Sequence, residues 1–183
     1  MVFRRKQIVF GLIILGALAF GFVRPQKAAA FSGAGAGSTQ YPYRITTCLQ
    51  LQEMNDEKTA SYVLMNDIDC GDGNTGNDTN AWNSGAGFAP IATSDYFTGS
   101  FDGRNHTISD LVINRPTENY IGLFGRTNGA SIKNVVIEDS VISGQNFVGS
   151  LVGIAVTTDI SFASAYGVVE GAFTVGGLVG RLE

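Results

Sequence analysis

Apolar and polar positions alternate in short runs through most of this chain. Phe97-Thr98-Gly99-Ser100-Phe101 and the segment Thr107 to Ile113 both step with period two, which predicts two short strands, and Asp102-Gly103 between them predicts a tight turn. Tyr43-Arg44-Ile45 suits a short strand, and Ser61 to Ile68 reads as another that ends in polar residues. One stretch departs from this pattern. Leu49 to Met54 predicts a short helix, N-capped by Thr46 or Thr47, with Leu49, Leu51 and Met54 forming its apolar side. Asp69 to Ser84 is too rich in Gly, Asn, Asp and Thr for a core and predicts a surface loop.

From Tyr120 onward the alternation repeats itself. Ile121-Gly122-Leu123-Phe124-Gly125 returns as Val148-Gly149-Ser150-Leu151-Val152-Gly153 and again as Val175-Gly176-Gly177-Leu178-Val179-Gly180, with closing glycines 28 and 27 residues apart. Between these strings Ile132 to Gly144 aligns with Ile160 to Gly171, the first carrying one residue more. A period of this length makes each repeat one supersecondary unit that buries its apolar face only by stacking on its neighbours. No helical segment separates the strands, which disfavours β-α repeats, and the period is too short for a four-stranded propeller blade. The fold class expected is therefore all-β, a parallel β-helix or solenoid of stacked coils, with the short helix capping its N-terminal end.

Gly122, Gly125, Gly149, Gly153, Gly176 and Gly180 are expected where the chain bends and needs positive φ or leaves no room for a Cβ. The Leu-Phe or Leu-Val pair in each string is expected to send one side chain to the core and the other to the outer face or an adjoining corner. The third string closes at Gly180, three residues before Glu183, so the last coil is expected to be incomplete and the array to continue beyond residue 183.

Composition supports a packed domain, since 44% of residues are apolar and only 15% charged, a balance that excludes a disordered chain. The first thirty residues stand apart from it. Arg4-Arg5-Lys6 precedes a charge-free apolar run from Ile8 to Val23, and Ala28-Ala29-Ala30 offers small residues to a peptidase, so residues 1–30 read as a secretory signal peptide. The alternative is an uncleaved anchor, the only contact with a membrane that the sequence suggests. Residues 31–40 read as a flexible linker and 41–183 as the domain.

The leader carries five basic residues and no acidic one, which leaves seven basic against sixteen acidic residues and a net charge of −9 beyond it. That charge argues against nucleic acid as a partner. In an exported chain the two cysteines, Cys48 and Cys70, read as a disulfide, while a zinc site lacks the spacing.

The three glycine strings resemble the GLUG motif, a repeat of bacterial surface proteins that include immunoglobulin-A-peptidase-type polypeptides and adhesin-like chains. The segments Phe97 to Leu111 (FTGSFDGRNHTISDL) and Tyr62 to Asp69 (YVLMNDID) are similar to what precedes those repeats. The resemblance covers most of residues 41–183 and implies a right-handed parallel β-helix on an exported protein, with little chemistry of its own. Peptidase-type members carry a separate zinc domain with a His-Glu-x-x-His helix, whereas this chain has one histidine. Phe162 falls where the preceding repeat has Asn134, so an asparagine ladder there would be interrupted.

Candidate chemistry is sparse. His106 with Asp102 and Asp110 is the one acid-base cluster, but Asp102-Gly103 is a turn signal and nothing in the spacing specifies a catalytic pair. No catalytic or cofactor-binding residue is therefore expected. Asp67, Asp69 and Asp72 are candidate calcium ligands, although the segment fails the EF-hand template. Trp82 and Phe88 either offer an aromatic platform to a sugar or anchor the long loop, and burial favours anchoring. The function expected is a non-catalytic stalk or adhesion surface for a glycan or protein ligand. The alternative is a carbohydrate-active enzyme, or an accessory domain of a glycan-degrading enzyme or surface peptidase. The oligomeric state is left open.

Overall fold

The computed structural model describes residues 31–71 and 78–183. Residues 1–30, assigned to a leader, and Asp72 lie outside them. In chain order the strands are β1 (Tyr43–Ile45), β2 (Ser61–Leu64), β3 (Ile68–Asp69), β4 (Ser100–Ser109), β5 (Val112–Asn114), β6 (Asn119–Ile121), β7 (Phe124–Asn128), β8 (Ser131–Ser143), β9 (Asn146–Val148), β10 (Val152–Val156), β11 (Asp159–Glu170), β12 (Phe173–Val175) and β13 (Val179–Leu182). Every pairing between these strands is parallel. The protein is thus all-β, with one short α-helix, α1 (Cys48–Glu53), and short 3₁₀ segments.

The strands form three sheets. The first runs β1-β2-β4-β8-β11, with β3 and β5 alongside; the second is β6-β9-β12 and the third β7-β10-β13. From β6 onward the chain visits the second, third and first sheets in turn and comes back to each one strand further out. Period-two alternation explains which residues face in. Five rows of apolar residues run across the strands: Phe101, Ile132 and Ile160; Ile108, Ile137 and Ala165; Ile113, Ile142 and Val169; Ile121, Val148 and Val175; Phe124, Val152 and Val179. The first two members of each row are fully buried, and the third, on the outermost strand, is not. A chain of rings continues the core toward β1 and β2, from Phe124 to Phe97 at 4.8 Å between centroids and from Phe97 to Tyr62 at 6.3 Å.

Both members of the Leu-Phe and Leu-Val pairs at 123–124 and 151–152 are fully buried, so neither second side chain goes to the outer face. The glycines explain why both fit. Gly125, Gly153 and Gly180 lie side by side in the third sheet, and none of the six string glycines has a positive φ. Space alone demands them. A Cβ on Gly153 would stand 2.6 Å from the Gly125 carbonyl oxygen and 2.7 Å from that of Phe147, so the chain can fold tightly there only without a side chain.

Left-handed conformation falls instead on non-glycine residues at the bends: Arg104, Asn105, Asn134 and Phe162 at one, Tyr120, Phe147 and Thr174 at another. The expected turn at Asp102-Gly103 is accordingly corrected. β4 runs through it as one strand with a register shift, because both halves pair with the same neighbour, β8, rather than with each other. The expected strand over 61–68 is divided into β2 and β3, which both pair with β4.

In α1, Thr47 takes an extended backbone and its Oγ1 accepts the Gln50 N–H at 3.2 Å, while Gln50 Oε1 accepts the Thr46 N–H at 2.7 Å. The buried face is Cys48, Leu51 and Met54; Leu49, assigned to it from sequence, is 53% exposed. Cys48 is bonded to Cys70 across 22 residues, tying α1 to the end of β3. Residues 31–40 lie along the first sheet: Ala34 bridges Arg44, and the Phe31 ring sits 4.6 Å from that of Tyr43. Of the polar stretch expected as a surface loop, the described residues Cys70 and Thr79 are fully buried.

Candidate functional site

The 3₁₀ segment Thr79–Gly85 is fixed at its start by Thr79, whose Oγ1 accepts the Val112 N–H at 3.0 Å, and beyond its end by Phe88, whose N–H donates to the Val112 carbonyl at 2.8 Å. Asn83, Ser84 and Gly85 follow one another with φ of 51°, 59° and 88°, which reverses the chain just after Trp82. Phe88 is fully buried and stacks on half-buried Trp82 at 6.4 Å, so Phe88 anchors the segment while Trp82 keeps part of its surface open. Opposite, Gln52 clamps Ala89: its Oε1 accepts the Ala89 N–H and its Nε2 donates to the Ala89 carbonyl, both at 2.8 Å. Asn55 accepts the Ala92 N–H at 2.9 Å. Between these two walls is a cleft of about 610 Å³ lined by Leu49, Glu53, Asp56, Trp82, Asn83 and Ala89, together with the two clamping amides.

The acid-base cluster drawn from sequence is rearranged. His106 Nδ1 lies 3.0 Å from Asp67 Oδ1, and the same oxygen accepts the Thr107 N–H at 3.0 Å. Those two hydrogen bonds, the backbone one first, hold the Asp67 carboxyl below its ordinary range. Asp102 instead accepts from the Asn134 amide at 3.0 Å and from the Arg104 N–H at 2.9 Å, with Lys133 Nζ 3.7 Å away. Burial pushes the Asp102 carboxyl up, but these donors and the ammonium outweigh it and leave the pKa lowered. Asp110 sits at a left-handed bend, and its backbone carbonyl accepts the Thr79 hydroxyl at 3.3 Å. The partner that sequence missed, Asp67, becomes visible only once β2 and β3 are separated, because the break between them turns it toward His106.

Of the calcium candidates, Asp67 is engaged by His106 and Thr107, and Asp69 accepts the Gly71 N–H at 2.8 Å. Among the described residues no three His, Cys, Asp or Glu side chains converge as a metal site would require. A second surface feature went unread in the sequence. Tyr120 and Phe147, stacked at 5.2 Å with planes 5° apart, occupy equivalent left-handed positions of β6 and β9; the Arg126 guanidinium lies 4.8 Å from Tyr120 and 4.1 Å from Tyr96, and that of Arg181 5.7 Å from Phe147. Arginines and aromatics thus form one continuous column that braces the bend.

These features define an all-β protein of parallel sheets with an acid-rimmed cleft, walled on one side by Trp82, beside its helix. The chain is 37% identical over 157 residues to Halomucin from Haloquadratum walsbyi, a match that covers 81% of this chain and 2% of Halomucin. No family model matches the chain. It also bears a distant likeness, with a TM-score of 0.40 and 16% identity, to the crystal structure of a candidate immunoglobulin A1 protease from Bacteroides ovatus, covering 81% of this chain and 64% of that one. That likeness is too remote to carry an argument.

Proposed function

We propose that residues 41–183 form a right-handed parallel β-helix that serves as a non-catalytic module of an exported, cell-surface protein, a stalk or an adhesion surface for a glycan or protein ligand. The observation that supports it most is the repeated passage through three parallel sheets in fixed order, with equivalent residues in register from strand to strand. Such stacking lengthens a protein without adding chemistry, which suits a spacer or a binding face. Identity to a stretch of Halomucin and the Cys48–Cys70 disulfide, a bond of oxidising compartments, support the location. Asp67 Oδ1 is shared by His106 Nδ1 and the Thr107 backbone N–H, a pairing that favours a structural role.

The test has two parts. Antibody against the domain should label intact cells of the source organism, and the purified chain should turn over none of a broad panel of polysaccharides and peptides. Labelling only after lysis would remove the surface location. Turnover lost in His106→Ala would replace the non-catalytic reading with an enzyme.

A further inference from the structure

The cleft between α1 and the Trp82 segment has a chemistry more specific than an adhesion surface requires. Its apolar wall is Leu49, Trp82 and Ala89, and two carboxylates, half-buried Glu53 and exposed Asp56, stand at its rim. Each lining amide already spends an N–H on a backbone carbonyl, Gln52 Nε2 on Ala89 at 2.8 Å, Asn55 Nδ2 on Ala89 and Pro90 at 3.4 Å, and Asn83 Nδ2 on Gly87 at 2.7 Å, which leaves Gln52 and Asn83 one N–H apiece. Among the described residues no cation lines the cleft, and the nearby Lys58 is turned to the Asn55 carbonyl and Asp95. Glu53 uses one carboxylate oxygen to accept the Ser32 N–H at 2.8 Å and keeps the other.

A pocket with an indole wall, two carboxylates and no cation among its described lining residues selects among ligands by charge. Anions are repelled. A neutral sugar ring leaves the charge of both carboxylates unmatched. A positively charged nitrogen carried on apolar carbons meets each feature: the carboxylates match its charge, the indole accepts it as a cation–π partner, and Leu49 and Ala89 cover its carbons. The walls are also set in advance by the Gln52 and Asn55 clamps, so a ligand has little to order on binding.

We infer that this cleft binds an organic ammonium group. The assignment goes beyond the surface-module reading and stands on the cleft alone, whether or not the chain is a stalk. Trp82 is the chain's single tryptophan, so its fluorescence reports the site directly. At constant ionic strength, choline and butylammonium are titrated into the full chain against 3,3-dimethylbutanol, the uncharged isostere of choline. Saturable changes are expected for both ammonium ions, with the alcohol at least tenfold weaker. Asp56→Asn, at an exposed position, should weaken choline binding at least fivefold while leaving the melting curve unchanged. Equal response to the alcohol would mean an unspecific apolar cleft, and no saturable response to either ammonium ion, or no effect of Asp56→Asn, would overturn the assignment. Trp82→Leu followed by calorimetry should abolish the heat of choline binding; retained heat would place binding elsewhere and also overturn it.

Discussion

At the scale of single residues, close approach governs this structure more than backbone conformation does. Gly153 has an ordinary φ, yet an added methyl would meet backbone atoms of Gly125, Phe147 and Ile121 within 2.6 to 2.8 Å, and no flexible side chain is there to yield. Gly153→Ala should destabilise the protein by about 1–3 kcal/mol, the usual cost of overpacking, measured by urea unfolding. Gly177 in the last string has nothing within 4 Å of the same methyl, so Gly177→Ala should change stability by less than about 0.5 kcal/mol. Equal effects at the two sites would contradict the steric account. The string glycines are legible in sequence as positions that matter, but their reason is not: a sequence cannot separate a glycine kept for its φ from one kept for its missing Cβ. Leu49 was unreadable for a related reason. A six-residue helix spans under two turns, so the apolar pattern alone does not decide between a face with Cys48 and one with Leu49.

At the scale of elements, side chains at the bends tie successive strands together. Asp102 on β4 holds Asn134 and faces Lys133 on β8. Its lowered pKa means that the folded state favours the carboxylate, so this tie contributes stability above the unfolded value near pH 4, and the contribution is lost as pH falls through the lower folded value. Asp102→Asn should therefore lower the melting temperature at pH 7 and flatten its fall as the pH drops below about 4, followed by circular dichroism. A variant whose acid limb is as steep as the wild type's would place the acid sensitivity elsewhere. The strands themselves were mostly legible from alternation, as β1 at 43–45 and the aligned segments 132–144 and 160–171, which hold most of β8 and β11, attest. The Asp102-Gly103 turn was misread because the same dipeptide that reverses a hairpin also bends a parallel strand, and only the long-range partner tells the two apart.

At the scale of the whole molecule, burial falls from the middle of the sheets to their last strands. Ile132 and Val148 are fully buried, whereas Phe162, Phe173 and Leu182 on β11, β12 and β13 are 85%, 67% and 71% exposed. Native-state hydrogen exchange should find the amides of β8 and β10 most protected and those of β11 and β13 less so, because an outer strand opens without disturbing a second neighbour. Uniform protection across the three strands of a sheet would refute that order. The parallel stacking was within reach of the sequence because its period is local; the cleft was not, since its walls come from residues 49–56 and 82–89 and no pattern links them. One bend carries a consequence for redesign. Gly103, Arg104 and Asn105 take the corner that Asn134 and Phe162 each take alone, and the strands on both sides stay paired with their neighbours. That corner already tolerates length variation, with Arg104 and Asn105 in solvent. It is a natural graft point, where an epitope or affinity tag could be spliced in and carried outward without cutting a ladder.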